Sequence, residues 1–229
     1  MIKAKHLLAV AGLIGTLTFP VTANAQKTTA KATGKQPVDF VNPYVGAISH
    51  MLVPCYPTTH LPHSMMRVFP VRQDYTTNRI GGLPLIVTHH RSASSFNFYP
   101  YQGPESGISP SAQLSYDQES IKPYRFGVYL DEANVAVDFA PSHQSAVYKI
   151  SFEKAEAPYL IFNAGRGGQI KASGSVISGY RDLGNKTKVY LYAETDVPTS
   201  KSGVPARGSV TWGESGSALA VAFLPVRVK

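Results

Sequence analysis

The chain has 229 residues and a formal net charge of +8, with its 22 Lys and Arg residues scattered along the sequence. A nucleic-acid surface needs basic residues gathered on one face, so the scatter excludes that class and reads as ordinary solvation, with at most weak attraction to acidic glycans or membranes. The lone cysteine, Cys55, excludes a disulfide within the chain and reads as a buried, inert thiol.

At the start of the chain, Lys3, Lys5 and His6 precede an apolar run from Leu7 to Phe19, and Ala23-Asn24-Ala25 has the small-residue pattern of a cleavage site. This predicts an export signal over 1–25, with the mature chain starting at Gln26 and destined for the periplasm or the exterior. The apolar run is too short for a membrane span. Residues 26–37, rich in Lys, Thr and Ala, read as a flexible linker. The sequence then predicts one domain over 38–229, long enough to bury a real core.

Residues 38–123 are punctuated by proline, and short strands such as Leu85 to His89 alternate with long irregular loops. Loops of that length in a folded domain usually bind ligands or partners. From residue 124 the pattern changes. Tyr124, Phe126, Val128 and Leu130 alternate, as do Val135, Val137 and Phe139, and Asp131 to Asn134 can turn the chain between them. That is a hairpin with one buried face. Tyr148, Ile150 and Phe152 continue the alternation, and Tyr159 to Phe162 is the continuous apolar run of a central strand. Further short runs follow at 174–180, 188–193, 209–212 and 218–224, each bounded by turn residues. The expected fold class is all-β: an antiparallel β-sandwich with a loop-rich N-terminal half.

The loop-rich half carries most of the candidate chemistry. His50, His60 and His63 lie close together in sequence, and His89, His90 and Arg91 follow. Metal ligation by these histidines is disfavoured. Pro62 prevents a helix that would align His60 with His63, and His89 and His90 point to opposite faces of a strand. Two readings stand: side chains that bind a polar ligand, or loop histidines satisfied by backbone groups. The aromatics Phe96, Phe98, Tyr99 and Tyr101 follow a Ser-rich loop; they fit sheet packing, or contact with the C–H face of a sugar. Fourteen acidic residues are present and none sits in a motif that marks a catalytic pair.

The stretch Val41-Asn42-Pro43-Tyr44-Val45-Gly46, then Tyr56-Pro57 and Pro62-His63-Ser64-Met65, resembles the N-terminal signature of glycoside hydrolase family 92, a family of mostly α-mannosidases. His63-Ser64 stands where the family has Phe-Gly. Pro84 to Arg91 sits where members often carry a Phe-Ser-His-x-His-like segment. The resemblance implies a sandwich of the galactose mutarotase-like or supersandwich type, packed on a helical (α/α)6 catalytic domain that this sequence does not contain. It also implies that the catalytic acid and base, and a calcium ion, belong to that helical domain, so no cofactor is expected in this chain. The partners expected are a glycan and the helical domain, with no nucleic acid and no membrane span. His50, His60, His63, His89, His90 and Arg91 become candidate substrate-binding residues, and no catalytic residue is assigned. The expected function is an exported domain that lends loops to glycan binding without catalysing alone. The alternatives are a stand-alone carbohydrate-binding module or a structural interaction domain.

Overall fold

Alternation of apolar and polar residues along the second half of the chain places one sheet face against a core, and the computed structural model describes how the strands are arranged. It covers residues 34–47, 55–72, 77–87, 94–154 and 156–224. The expected export signal over 1–25, most of the expected linker, and His50, His89, His90 and Arg91 lie outside the described residues. Residues 36–229 group as one unit.

Among the described residues sixteen strands follow in order. They are β1 (Thr59–His60), β2 (Arg67–Val68), β3 (Arg79–Ile80), β4 (Leu83–Val87), β5 (Ser94–Gln102), β6 (Leu114–Lys122), β7 (Arg125–Leu130), β8 (Val135–Pro141), β9 (Ala146–Phe152), β10 (Pro158–Asn163), β11 (Gly168–Ser173), β12 (Val176–Gly184), β13 (Thr187–Glu194), β14 (Lys201–Ala206), β15 (Ser209–Trp212) and β16 (Ala218–Ala222). One sheet has the order β15-β14-β16-β10-β5-β4 and a second has β3-β6-β7-β8-β9. A three-stranded meander, β11-β12-β13, and the short pair β1-β2 complete the set. All named strand pairs are antiparallel.

The predicted hairpin is β7 and β8. Phe126, Val128 and Leu130 lie opposite Phe139, Val137 and Val135, and all six are buried. Asn134 closes the turn at φ 50°, with its N–H on Asp131 O at 3.1 Å; Asn tolerates this left-handed conformation better than most residues. The apolar run Tyr159 to Phe162 is indeed central: β10 lies between β16 and β5, and its first five residues are buried.

The two large sheets share one core. From β5, Phe98 meets Tyr148 of β9 edge-to-face at 4.9 Å between ring centroids, and Tyr148 also touches Phe139 at 4.7 Å. The Tyr148 hydroxyl donates to Pro84 O at 2.8 Å, so this ring ties the second sheet to β4 of the first. Phe96, Phe98, Tyr99 and Tyr101 are therefore packing residues: the first three are buried, and Tyr101 packs partly buried against the core.

The connection from β5 to β6 covers the outer face of the first sheet. Ile108 is buried there, the Tyr99 hydroxyl donates to Ser109 O, and the Tyr101 hydroxyl donates to Pro104 O at 2.9 Å. Glu105 accepts from Lys201 and from the Trp212 indole N–H at 3.1 Å. The Lys201 bond, then the indole bond, hold its carboxyl below the usual carboxylate range. Cys55 departs from expectation: it is exposed, because it ends up on the surface beside the signature turn instead of on a strand facing the core.

Burial raises several tyrosine phenols. Tyr99 is pushed up to about 12, and Tyr148 is raised from its ordinary value by burial alone. A folded state that keeps a proton where the unfolded chain loses it is destabilised by rising pH. Stability is expected to be level across neutral pH and to fall above about pH 10, where unfolded tyrosine ionises. Urea melts at graded alkaline pH, read beside phenolate absorbance, check this. Ionisation of all thirteen tyrosines with no loss of stability would contradict it.

Candidate functional site

The signature turn is the start of the site. Asn42 Oδ1 accepts the Tyr44 N–H at 3.0 Å, and Val45 N–H reaches Asn42 O at 3.3 Å, with Pro43 pre-setting the backbone between them. A second turn overlaps the first: Ala47 N–H donates to Tyr44 O at 3.0 Å, and Gly46 sits at its third position with φ 80°. That backbone conformation strains any residue with a side chain, which is why the motif ends in Gly.

These two turns hold Tyr44 over β6. The strand is bulged between Asp117 and Ser120: two residues, Gln118 and Glu119, oppose the single Val128 of β7. Gln118 adopts φ 54°. A bulge re-aims a side chain, and here it turns Glu119 toward Tyr44 and Arg72. Arg72 Nη2 donates to Glu119 Oε1 at 2.6 Å, and Nη1 donates to Tyr116 Oη at 2.6 Å. The guanidinium carbon lies 5.3 Å from the Tyr116 ring centroid. Tyr116 Oη in turn donates to Thr77 O at 3.0 Å. The Arg72 side chain is 2 % exposed and that of Glu119 12 %. Arg72 Nε is buried with no hydrogen-bond partner among the described residues.

Two cavities flank Tyr44. One, about 270 Å³, is lined by Tyr44, Gly46, Ala47, Pro57, Arg72, Tyr116 and Glu119. The other, about 280 Å³, runs between 39–44 and 119–122. Tyr44 Oη is 3.5 Å from Glu119 Oε2. Burial first, then the Glu119 carboxylate, push the Tyr44 phenol up to about 12, so it remains a donor at neutral pH. Asp39, which lines the second cavity, accepts from Gln36 N–H at 2.8 Å and from the Tyr124 hydroxyl at 2.5 Å.

The cluster is equipped for recognition. A fixed guanidinium, a carboxylate and two phenols offer donors and acceptors to hydroxyl groups, while the Glu119 carboxylate already takes the Arg72 ion pair. Among the described residues no three His, Cys, Asp or Glu side chains gather as a metal site.

Two of the six sequence-based candidates, His60 and His63, are among the described residues. His60 and His63 are both exposed and line neither cavity. His60 Nε2 lies 3.0 Å from Ser64 O, so its ring is engaged by the backbone. His63 occupies the left-handed region at φ 58°. Ser64 donates to Ser142 O at 2.7 Å, and Met65 N–H donates to His143 O at 2.7 Å, pinning this loop to the end of β8. His50, His89, His90 and Arg91 lie outside the described residues. Sequence reasoning missed Arg72 and Tyr116, and met Glu119 only as one unmarked carboxylate.

The profile of the glycosyl hydrolase family 92 N-terminal domain matches residues 40–223. The chain belongs to that family. Solved structures with the same fold include an inverting mannosidase of family GH92 from Bacteroides thetaiotaomicron VPI-5482, at TM-score 0.69 and 19% identity, with 83% of this chain and 30% of that chain covered. A second GH92 α-mannosidase from Bacteroides thetaiotaomicron matches at TM-score 0.67 and 17% identity, covering 84% of this chain and 32% of that one. The family 92 domain thus spans about 30% of the length of the first of these mannosidases. No curated protein matches it in sequence. No helix among the described residues is long and apolar enough to cross a membrane.

Proposed function

We propose that this family 92 domain is the exported N-terminal sandwich of an α-mannosidase-like exo-glycosidase. It lends loop residues to a glycan pocket, packs on a helical catalytic domain, and does not hydrolyse glycosides alone. The observation that carries the reading is the N-terminal-domain match over 40–223, in a chain that covers about 30% of a similar mannosidase. The placement of the signature turn supports it: Tyr44 and Gly46 line a cavity with Arg72, Tyr116 and Glu119. Glycoside hydrolysis by the usual route needs two carboxyl groups flanking the bond, one of them acting as general acid. Of the carboxylates at these cavities, Glu119 is tied to Arg72, and Asp39 accepts from Tyr124 and Gln36.

The purified chain is expected to release aryl leaving groups from α-mannosides no faster than buffer does. Ordinary glycosidase turnover by the chain alone would overturn the proposal.

A further inference from the structure

The meander β11-β12-β13 has one face in the core and one in solvent. Ile170, Ile177 and Leu191 point inward and are buried. By strand alternation the other face carries Tyr180, Tyr190 and Tyr192. Tyr180 and Tyr190 are direct cross-strand partners, and Tyr192 lies two residues further along β13, about 6.6 Å by strand rise. Tyr190 is 69 % exposed, Tyr192 67 % and Tyr180 37 %. In the chain by itself three large rings stand in water on one sheet face, an exposed aromatic patch of the kind that marks a binding surface.

The surroundings select the cover. Lys171 and Lys188 share this face with Asp182 and Glu194, so its formal charge is zero in a chain of net +8. That balance offers nothing to a polyanion. Lys188 Nζ sits 5.2 Å from the Tyr180 ring centroid, and the Tyr192 hydroxyl is bonded to Glu194, so two of the rings are held in place before any ligand arrives. The complement of such a shelf is an uncharged molecule with apolar C–H faces to stack on rings and hydroxyls to meet the flanking charged groups. We infer that the outer face of this meander is an accessory binding surface for neutral polysaccharide, formed by residues other than those of the Arg72 cavities. It works as a shelf along which a chain of sugars lies, with Tyr190 and Tyr192 as the stacking platform.

Affinity electrophoresis of the purified chain through gels containing soluble yeast mannan, dextran or heparin tests this. Retardation by mannan or dextran is expected, with none by heparin beyond its charge-matched control. The double variant Tyr190→Ala/Tyr192→Ala should weaken binding roughly tenfold or more. Both side chains are exposed, so the variant should keep the wild-type melting temperature. Four results would overturn the inference: no retardation by either neutral polymer, equal retardation of the folded double variant, a tyrosine-dependent dimer in sedimentation, which would make the cover a second copy of the chain, or loss of the tyrosine-dependent retardation once the chain is joined to the helical domain proposed above, which would make that domain the cover.

Discussion

Replacing Arg72 with methionine is expected to lower the unfolding free energy by about 3–5 kcal/mol. The reason is what the substitution leaves behind. The Glu119 carboxylate is 12 % exposed and loses a 2.6 Å ion pair, and the Tyr116 hydroxyl loses a donor at the same distance. Removing one partner of a buried pair strands the other charge, which costs far more than the net worth of the pair. For a domain of this size the loss corresponds to a melting temperature lower by about 6–20 °C. Adding Glu119→Leu to Arg72→Met removes the stranded carboxylate and should restore most of the loss, since a buried pair replaced by apolar side chains is often neutral. Thermal melts of the two single variants and the double variant form a cycle that isolates the coupling. A single-variant loss below about 1 kcal/mol would place the pair in the range of solvent-screened surface bridges and remove the case for a preorganised cluster.

The second large effect is expected at Phe98. The side chain is 2 % exposed and lies between Leu83 and Phe162 as cross-strand neighbours. It stacks on Phe162 at 5.7 Å and receives Tyr148 of the opposite sheet edge-on. Phe98→Ala should cost about 3–5 kcal/mol through lost burial plus the cavity left where two sheets meet. Its neighbours are held in place by backbone pairing and by the Tyr148 bond to Pro84, so collapse into the gap is limited. Urea unfolding should show a lower midpoint at an unchanged slope. A shift smaller than about 1 kcal/mol would mean that the sheets close over the space.

Alternation made β7 and β8 legible because every second side chain meets the core, and β10 was legible because both of its faces are covered. Among the longer strands, β6, β11 and β14 escaped for physical reasons. β6 reads Leu-Ser-Tyr-Asp-Gln-Glu-Ser-Ile-Lys, and its bulge breaks the period at Gln118 and Glu119. β11 buries only Ile170, and β14 contains Gly203 and Pro205, residues that ordinarily argue against a strand. The turn chemistry of Asn42 to Gly46 was readable, since its meaning is local. The Arg72 cluster was not, because its members meet across 44 and 47 positions of sequence and depend on a bulge that composition does not signal. Cys55 was misjudged from the general habit of free thiols; its position beside an exposed turn decides otherwise.

The chain has a single tryptophan, and its indole donates to Glu105 while the Lys201 ammonium sits 3.9 Å from the ring centroid. Fluorescence excited at wavelengths beyond the tyrosine band therefore has one emitter, placed on the edge strand β15 and coupled to a carboxylate and a cation, far in sequence from the Phe98 contacts. Protonation of Glu105, which its two bonds move below the usual carboxylate range, should change the emission. In urea, emission and far-UV circular dichroism should trace one curve if the sandwich unfolds as a single cooperative unit. The molecule thus carries a built-in optical label that separates loosening of the β5–β6 connection from melting of the core.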